Sequence, residues 1–146
     1  MFVATAEARD AEMSDRIARH QAERPATWST LEAPYDLDEA IGQAPVEATV
    51  IVDCLTLWVA NLMERGDDAI ETAAEVAAHR AAQRSAPVIA VSNEVGMGIV
   101  PDHPLGRVYR DRLGRVNAIW AGHAREALLV VAGRTLILQP AGPFDG

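Results

Sequence analysis

The sequence contains no lysine and only one cysteine. The single cysteine, Cys54, excludes an internal disulfide and a cysteine-rich metal site. The net charge of -8 argues against a general nucleic-acid-binding protein, because that class presents a basic surface. No apolar run reaches the roughly 20 residues of a membrane span, and the N-terminus lacks the basic and apolar segments of a secretion signal. These absences predict a cytoplasmic protein without a membrane span or a nucleic-acid partner.

Strands and helices alternate along most of the chain, which predicts an α/β fold with a mainly parallel sheet. Residues 1–139 fit a single domain, and the turn-rich residues 140–146 are predicted to be a flexible tail. Asp36 and Glu39 have the spacing of a helix capping box. The apolar patterns predict strands at 1–5, 48–52, 88–91, 127–131 and 136–138, and helices at 7–23, 37–42, 55–65, 67–85 and 104–125.

Polar residues follow three of the predicted strands, at Thr5, at Asp53 and at Ser92-Asn93-Glu94. The carboxyl ends of parallel strands lie along one edge of a sheet, which is where open α/β sheets bind ligands. An apolar strand ending in Asp53 is also the pattern by which P-loop nucleotidases hold Mg²⁺. A helix N-cap is an equally good interpretation of Asp53. A nearby Glu94 favours the binding interpretation, because two carboxylates then flank one cation or nucleotide.

His20 lies among arginines, with Arg16, Arg19 and Arg24 within about one helical turn. A neutral imidazole can attack a phosphorus centre if cations hold the phosphates in line. The plainer interpretation is a solvated helix surface. The same choice applies to the arginines of the last long helix, which either pair with neighbouring acids or clamp a phosphate: Arg107, Arg110, Arg112 and Arg115.

The run Asn93-Glu94-Val95-Gly96-Met97-Gly98-Ile99-Val100-Pro101 resembles the signature of the bifunctional adenosylcobinamide kinase / adenosylcobinamide-phosphate guanylyltransferase family. Four further segments support the resemblance along essentially the whole chain. They are Ala4–Thr5–Ala6 with the segment from Asp10 to His20, Val52 to Val59 with Asn61-Leu62, Gly114 to Asn117, and Val130 to Gly133.

The resemblance implies a RecA-like, three-layer P-loop NTPase fold in which residues 1–139 bind nucleotide. It implies phosphorylation of adenosylcobinamide with ATP or GTP, followed by GMP transfer from GTP through a guanylylated His20. Mg²⁺, held by Asp53, is the implied cofactor, and a homo-oligomer is the implied assembly. The implied nucleotide-binding residues are Thr5, Ala6, Arg24, Glu32 and Asp53, beside the signature-loop residues Asn93, Glu94, Gly96 and Gly98.

The resemblance breaks at the phosphate-binding loop. The family begins with a strand, a Gly-Gly-x-x-Ser-Gly-Lys-Ser loop and a helix, and none of these is present in the sequence. A late start codon or a fragment, a relative that has lost catalysis, and a site completed by another subunit are the competing explanations. We therefore expect an unpaired sheet edge, weak nucleotide binding and little kinase activity. A smaller departure is Ala118, where the family usually has Gln.

Two other functions stay open on the sequence alone. One is a catalytically inactive relative that acts as a binding or scaffold protein. The other is a different P-loop kinase, which requires the match in the signature run to be accidental.

Overall fold

A computed structural model describes residues 1–140, and its centre is a sheet of four parallel strands in the order β2-β1-β3-β4. The strands are β1 (Phe2–Ala4), β2 (Thr30–Glu32), β3 (Val50–Asp53) and β4 (Val88–Val91). The α/β fold and the mainly parallel sheet expected from the sequence are thus confirmed. Of the predicted tail at 140–146, residues 141–146 lie outside the described part.

Five helices are present, α1 (Ala11–Glu23), α2 (Leu37–Gln43), α3 (Leu55–Arg65), α4 (Ile70–Ala82) and α5 (Pro104–His123). Helix α1 begins later than expected because Asp10 is its N-cap, with Oδ1 accepting from the Met13 N–H at 2.7 Å. The predicted capping box is wrong. The Asp36 side chain makes no cap hydrogen bond, and Glu39 accepts from Gln43 instead.

The core lies on one face of the sheet. Alternate strand residues Val3, Val50 and Val52 are fully buried against α2, α3, α4 and α5. Trp58 of α3 is buried among them, and its indole N–H donates to the Tyr35 carbonyl at 2.7 Å. Along the part of the chain that the structure describes, this is the only packed helical layer. Helix α1 lies at the other face, along the cavity, and buries none of its residues, so the three-layer RecA-like arrangement stays a prediction.

The opposite face of the sheet is only partly covered, and its β4 edge is free. Within residues 1–140, β4 pairs with β3 alone. Ile89 and Val91 of β4 are about half exposed. A strand that presents unpaired backbone groups and apolar side chains is a surface on which another strand can pair.

The last two strands form a separate antiparallel hairpin instead of extending the main sheet. They are β5 (Ala127–Val131) and β6 (Arg134–Leu138), and all of β6 is exposed. Ala132 and Gly133 join them with φ values of 50° and 70°, the positive values of a tight two-residue hairpin turn. No helix in residues 1–140 is long and apolar enough to cross a membrane.

Candidate functional site

A cavity of about 840 Å³ opens at the carboxyl ends of β1, β2 and β3, with α1 as one wall. Six residues singled out from the sequence line it: Ala6, His20, Arg24, Glu32, Asp53 and Asn93. These residues come from five segments of the chain: the segment just after β1, helix α1, β2, β3 and the start of the signature loop. The parallel sheet brings them together because its strand ends share one edge, as the sequence pattern predicted.

The cavity floor is a row of three residues at one level of the sheet. Ala4 pairs with Glu32 on one side and with Asp53 on the other. Strands are spaced by about 4.8 Å, so the two acidic residues are about 10 Å apart across Ala4. Successive strand residues point to opposite faces, so these three face the cavity while Val3 and Val52 face the core. The small alanine leaves the space between the two carboxylates open.

Thr5 lies behind the cavity wall and is fully buried. Its hydroxyl donates to the Cys54 carbonyl and accepts from the Cys54 N–H, both at 2.8 Å. Its own N–H donates to the Asp53 carbonyl at 3.1 Å, which continues the β1–β3 pairing past the strand ends. The side chain of Thr5 therefore holds the position of Asp53 and has no free group for a ligand.

Helix α1 brings basic side chains to the cavity. Arg16 and His20 are four residues apart, so they lie on the same face of the helix, and Arg19 also lines the cavity. Arg24 caps the carboxyl end of α1. Its guanidinium lies 3.5 Å from the centre of the Phe2 ring and donates to Thr30 Oγ1 at 3.2 Å. The wall opposite the acidic floor is thus cationic, which suits a ligand that carries phosphates.

The start of the signature loop is held by side chains of α3 and α5. Thr56 Oγ1 donates to Asn93 Oδ1 and accepts from the Asn93 N–H, both at 2.9 Å. Asn117 accepts from the Ser92 hydroxyl at 2.6 Å and donates to the Asn93 carbonyl at 3.1 Å. Burial raises the pKa of Tyr109, whose protonated hydroxyl donates to the Thr56 carbonyl. Asn93 is therefore fixed at the cavity rim.

The rest of the signature loop lies away from the cavity. Glu94, Gly96 and Gly98 are not among the residues that line it. Glu94 folds back so that Oε1 accepts from the Gly96 N–H at 2.5 Å, and a Cβ at Gly96 would lie 2.8 Å from that oxygen. The expected pairing of Glu94 with Asp53 around one cation is absent, because the Glu94 carboxylate closes its own turn.

The arginines of α5 are engaged elsewhere. Arg112 pairs with Asp68 and Arg115 with Glu71, both at 3.2 Å. Arg107 donates to the Pro101 and Asp102 carbonyls. None of the α5 arginines lines the cavity. The ion-pair interpretation of this helix therefore describes it better than a phosphate clamp.

Sequence reasoning missed a polar cluster at one end of the cavity. Arg9 contacts Glu7, Asn61 and Glu64, and the Tyr35 hydroxyl donates to Glu7. The hydrogen bond from Arg9, followed by that from Tyr35, lowers the pKa of Glu7. The one signal in the sequence for this cluster was Asn61, a polar residue inside the apolar helix α3. A single polar residue in such a helix does not reveal its partners.

The residues present are compatible with one Mg²⁺ ion that a nucleotide brings with it. Asp53 presents a carboxylate on the cavity floor. No group of three or more His, Cys, Asp or Glu side chains in residues 1–140 is arranged to hold a metal. Mg²⁺ is commonly bound through one or two carboxylates together with phosphates and water, so a single Asp53 ligand fits that mode.

Comparison with known proteins identifies relatives across nearly the whole chain. The bifunctional adenosylcobalamin biosynthesis protein CobP of Pseudomonas aeruginosa is 37% identical over 140 residues, which cover 94% of this chain and 81% of the relative. The proteins named CobU from Escherichia coli K12 and Salmonella typhimurium are 40% and 38% identical, each covering 91% of this chain and 82% of the relative.

The sequence model of one family matches residues 1–138, almost all of the chain. This extent, together with three relatives near 40% identity, makes an accidental match in the signature run untenable. The unrelated P-loop kinase is thereby excluded. The chain belongs to the cobinamide kinase / cobinamide phosphate guanyltransferase family.

Proposed function

We propose that this protein acts in cobalamin biosynthesis, phosphorylating adenosylcobinamide and then transferring GMP from GTP to the phosphate, with His20 as the nucleophile of the transfer. The observation that carries this proposal is the position of His20 in a cavity with a cationic wall and an acidic floor. Family membership supports nucleotide and cobinamide substrates. A cytoplasmic location and a homo-oligomeric assembly stay predictions.

In the proposed transfer, an imidazole nitrogen of His20 attacks the α-phosphorus of GTP. A nitrogen–phosphorus bond forms, the bond to the β-phosphate oxygen breaks, and pyrophosphate leaves with the electron pair. A phosphate oxygen of adenosylcobinamide phosphate then attacks the same phosphorus, and the histidine leaves as a neutral imidazole once protonated. Splitting the reaction in this way lets one site serve two acceptors in turn. Adenosylcobinamide-GDP is the product.

Three cavity residues receive supporting roles in this proposal. Arg24, and the arginines of α1 on the same wall, offset the charge of the phosphates. Glu32 binds the nucleoside at the far side of the floor. Asp53 holds Mg²⁺, which when bound neutralises phosphate charge and favours departure of the pyrophosphate. Ala6 and Asn93 contribute to the rim, Thr5 supports the floor at Asp53, and Glu94, Gly96 and Gly98 shape the signature loop outside the cavity.

We further propose a RecA-like arrangement in which a strand carrying the phosphate-binding loop pairs with the free edge of β4. The given 146 residues contain no lysine and no Gly-Gly-x-x-Ser-Gly-Lys-Ser sequence, so the loop that this arrangement requires is not among them. The half-exposed Ile89 and Val91 support an added strand at this edge. Kinase activity of the 146-residue chain alone is therefore expected to be very low.

The nucleophile is tested with guanosine 5′-phosphorimidazolide labelled at phosphorus. Its leaving group is imidazole, so attack at phosphorus does not depend on binding a pyrophosphate tail. We expect one acid-labile label per chain, lost in His20→Ala and kept in His79→Ala, since His79 is an exposed histidine on α4, outside the cavity. Label retained by His20→Ala, or absent from the unaltered chain, contradicts the proposal.

The second candidate is a catalytically inactive binding or scaffold protein, favoured by the engagement of Glu94 and of the α5 arginines in contacts outside the cavity. Equilibrium dialysis with GTP and with adenosylcobinamide separates the two. Binding of either ligand without labelling of His20 supports the inactive relative, whereas labelling of His20 supports the enzyme.

A further inference from the structure

Asn61 is one of only two polar residues buried in the described part of the chain, the other being Thr5. It lies in α3, whose other buried residues are all apolar, and only 5% of its surface is exposed. Burying an amide without hydrogen bonds costs several kcal/mol, of order 1–3 kcal/mol in protein mutants. The buried amide of Asn61 therefore needs hydrogen-bond partners inside the protein.

The side chain of Asn61 makes three hydrogen bonds to three different segments. Nδ2 donates to the Thr5 carbonyl at 2.7 Å and to the Pro34 carbonyl at 3.1 Å. Oδ1 accepts from Arg9 Nη2 at 3.0 Å. The two carbonyls need a donor and the guanidinium needs an acceptor, so both ends of the amide are used and neither an acid nor an apolar residue can replace it fully.

The three segments that Asn61 contacts also form parts of the cavity. Thr5 directly precedes Ala6 of the cavity wall, and Pro34 follows the floor residue Glu32 by two positions. Arg9 directly precedes Asp10, the N-cap of α1. Asn61 thus connects the floor of the cavity to the start of the helix that carries His20.

The N-terminal end of helix α1 is held by polar contacts of the segment that precedes it, and the contact of Arg9 with Asn61 is one of them. None of its 13 residues is buried, so its position is set mainly by its two ends. At the far end, Arg24 stacks on Phe2 and donates to Thr30. At the near end, Arg9 joins Asn61 to the acidic residues Glu7 and Glu64.

We propose that Asn61 is a positioning residue, which acts through Arg9 and the Thr5 carbonyl to set α1 and His20 against the cavity floor. This inference rests on the proposed function of His20, although the positioning itself is a property of the fold. A reacting group displaced by about 1 Å can lose about a hundredfold in rate. Asn61 is expected to affect the rate of transfer more than the binding of the donor, since the floor residues belong to the sheet.

Two substitutions separate positioning from folding. Asn61→Leu has similar volume and suits the apolar interior of α3, so the fold is retained while all three hydrogen bonds are lost. Asn61→Asp keeps the acceptor for Arg9 but places a carboxylate against two carbonyls. Arg84→Met is the control for lost stability: it removes hydrogen bonds at the turn after α2, outside the cavity and outside the Arg9 cluster, so an effect of general destabilisation would appear in it as well.

The first measurement is single-turnover labelling of His20 by guanosine 5′-phosphorimidazolide at increasing concentration. For Asn61→Leu we expect the saturating rate to fall by about a hundredfold with little change in the half-saturating concentration. Arg84→Met is expected to keep both values. A saturating rate unchanged in Asn61→Leu overturns the proposal, as does an equal loss in Arg84→Met.

The second measurement does not depend on activity. Hydrogen exchange followed by mass spectrometry reports local opening of the segment 5–14 directly. Faster exchange there in both Asn61 variants, and not in Arg84→Met, supports positioning even if the unaltered chain fails to label His20 and the proposed function falls. Unchanged exchange in the Asn61 variants overturns the positioning role whatever the labelling result.

Discussion

Glu32 and Asp53 stand at the same level of the parallel sheet, one on each side of Ala4. The arrangement places two carboxylates at opposite sides of a floor whose centre carries only the methyl group of Ala4. Opposite this floor, α1 supplies arginines and His20. The cavity thus has an acidic and a cationic surface, which match the polar base and the anionic tail of the proposed nucleotide ligand.

Enlarging the centre of the floor is expected to block the cavity. Ala4→Leu places three extra carbons between Glu32 and Asp53, and overpacking of this kind costs about 1–3 kcal/mol. Because 1.4 kcal/mol is a factor of ten in affinity, we expect GTP to bind about ten- to a hundredfold more weakly. Ala118→Leu, at an exposed position of α5, is the control. Isothermal titration calorimetry measures both, and equal affinities place the ligand elsewhere.

The N-cap of α1 is expected to matter more than that of α2. Asp10 accepts from the Met13 N–H, whereas the Asp36 side chain makes no cap hydrogen bond. Asp10→Ala should therefore destabilise α1 by about 1 kcal/mol, the usual cost of losing a cap, and Asp36→Ala should change α2 very little. Hydrogen exchange in the first turns of the two helices compares them. Equal protection in Asp10→Ala and the unaltered chain contradicts this assignment of the cap.

Acid is expected to loosen the segment that precedes α1. Hydrogen bonds from Arg9 and then Tyr35 lower the pKa of Glu7 below its ordinary 4.5. The folded-state pKa is the lower one, so the stabilisation is complete above 4.5 and is lost as the pH falls through the folded value.

The measurement for Glu7 is exchange or nuclear magnetic resonance linewidth of residues 5–10 from neutral pH to below 4.5. Glu7→Gln should abolish the pH dependence in that range, while Glu12→Gln, in the first turn of α1, should preserve it. If the segment opens at the same pH in both variants, Glu7 is not the responsible group.

Arg84 is expected to be a major contributor to stability. Its guanidinium donates to a group of carbonyls that end α2 and lead into β3, at Ile41, Ala44, Pro45, Val46 and Ala48. Hydrogen bonds to a charged group contribute about 1.5–3 kcal/mol, and the carbonyls left without partners add to the loss. We expect Arg84→Met to lower the free energy of unfolding by about 2 kcal/mol or more.

Urea denaturation measures that change, and Arg84→Lys is the informative comparison. Lysine keeps the charge but has three donors without the planar spread of a guanidinium, so it should recover only part of the loss. A full recovery by lysine shows that charge alone matters, and the carbonyl network is then unimportant.

Several features of the fold were predictable because they depend on local pattern. Apolar runs with β-branched residues predicted β3 and β4, and the polar residues that follow them predicted the edge where the cavity lies. The exact start of α1 was not predictable. Glu7 and Arg9 are compatible with a helix, and only their contacts with Asn61 and Tyr35 draw the chain away from it.

Thr5 and Ala4 show, for two single residues, the difference between what local sequence pattern predicts and what tertiary packing decides. Ala4 ends β1 and Thr5 directly follows it, and the sequence suggested Thr5 as the ligand-facing residue because it is polar. The pleat of the strand turns Thr5 to the buried face and Ala4 to the cavity, and the choice of face depends on where the helices pack. Glu94 likewise looked available, yet its carboxylate closes the turn at Gly96.

The amino-acid sequence by itself determined the family, the alternation of strands and helices, and the edge of the sheet at which the cavity lies. Motifs and periodicity are properties of residues close together in the chain, so they can be recognised without a structure. The tertiary structure decided which side chains reach the cavity and which support it. Asn61 contacts Arg9, 52 positions earlier, and Thr5, 56 positions earlier, and contacts across such separations are set only when the sheet and helices pack.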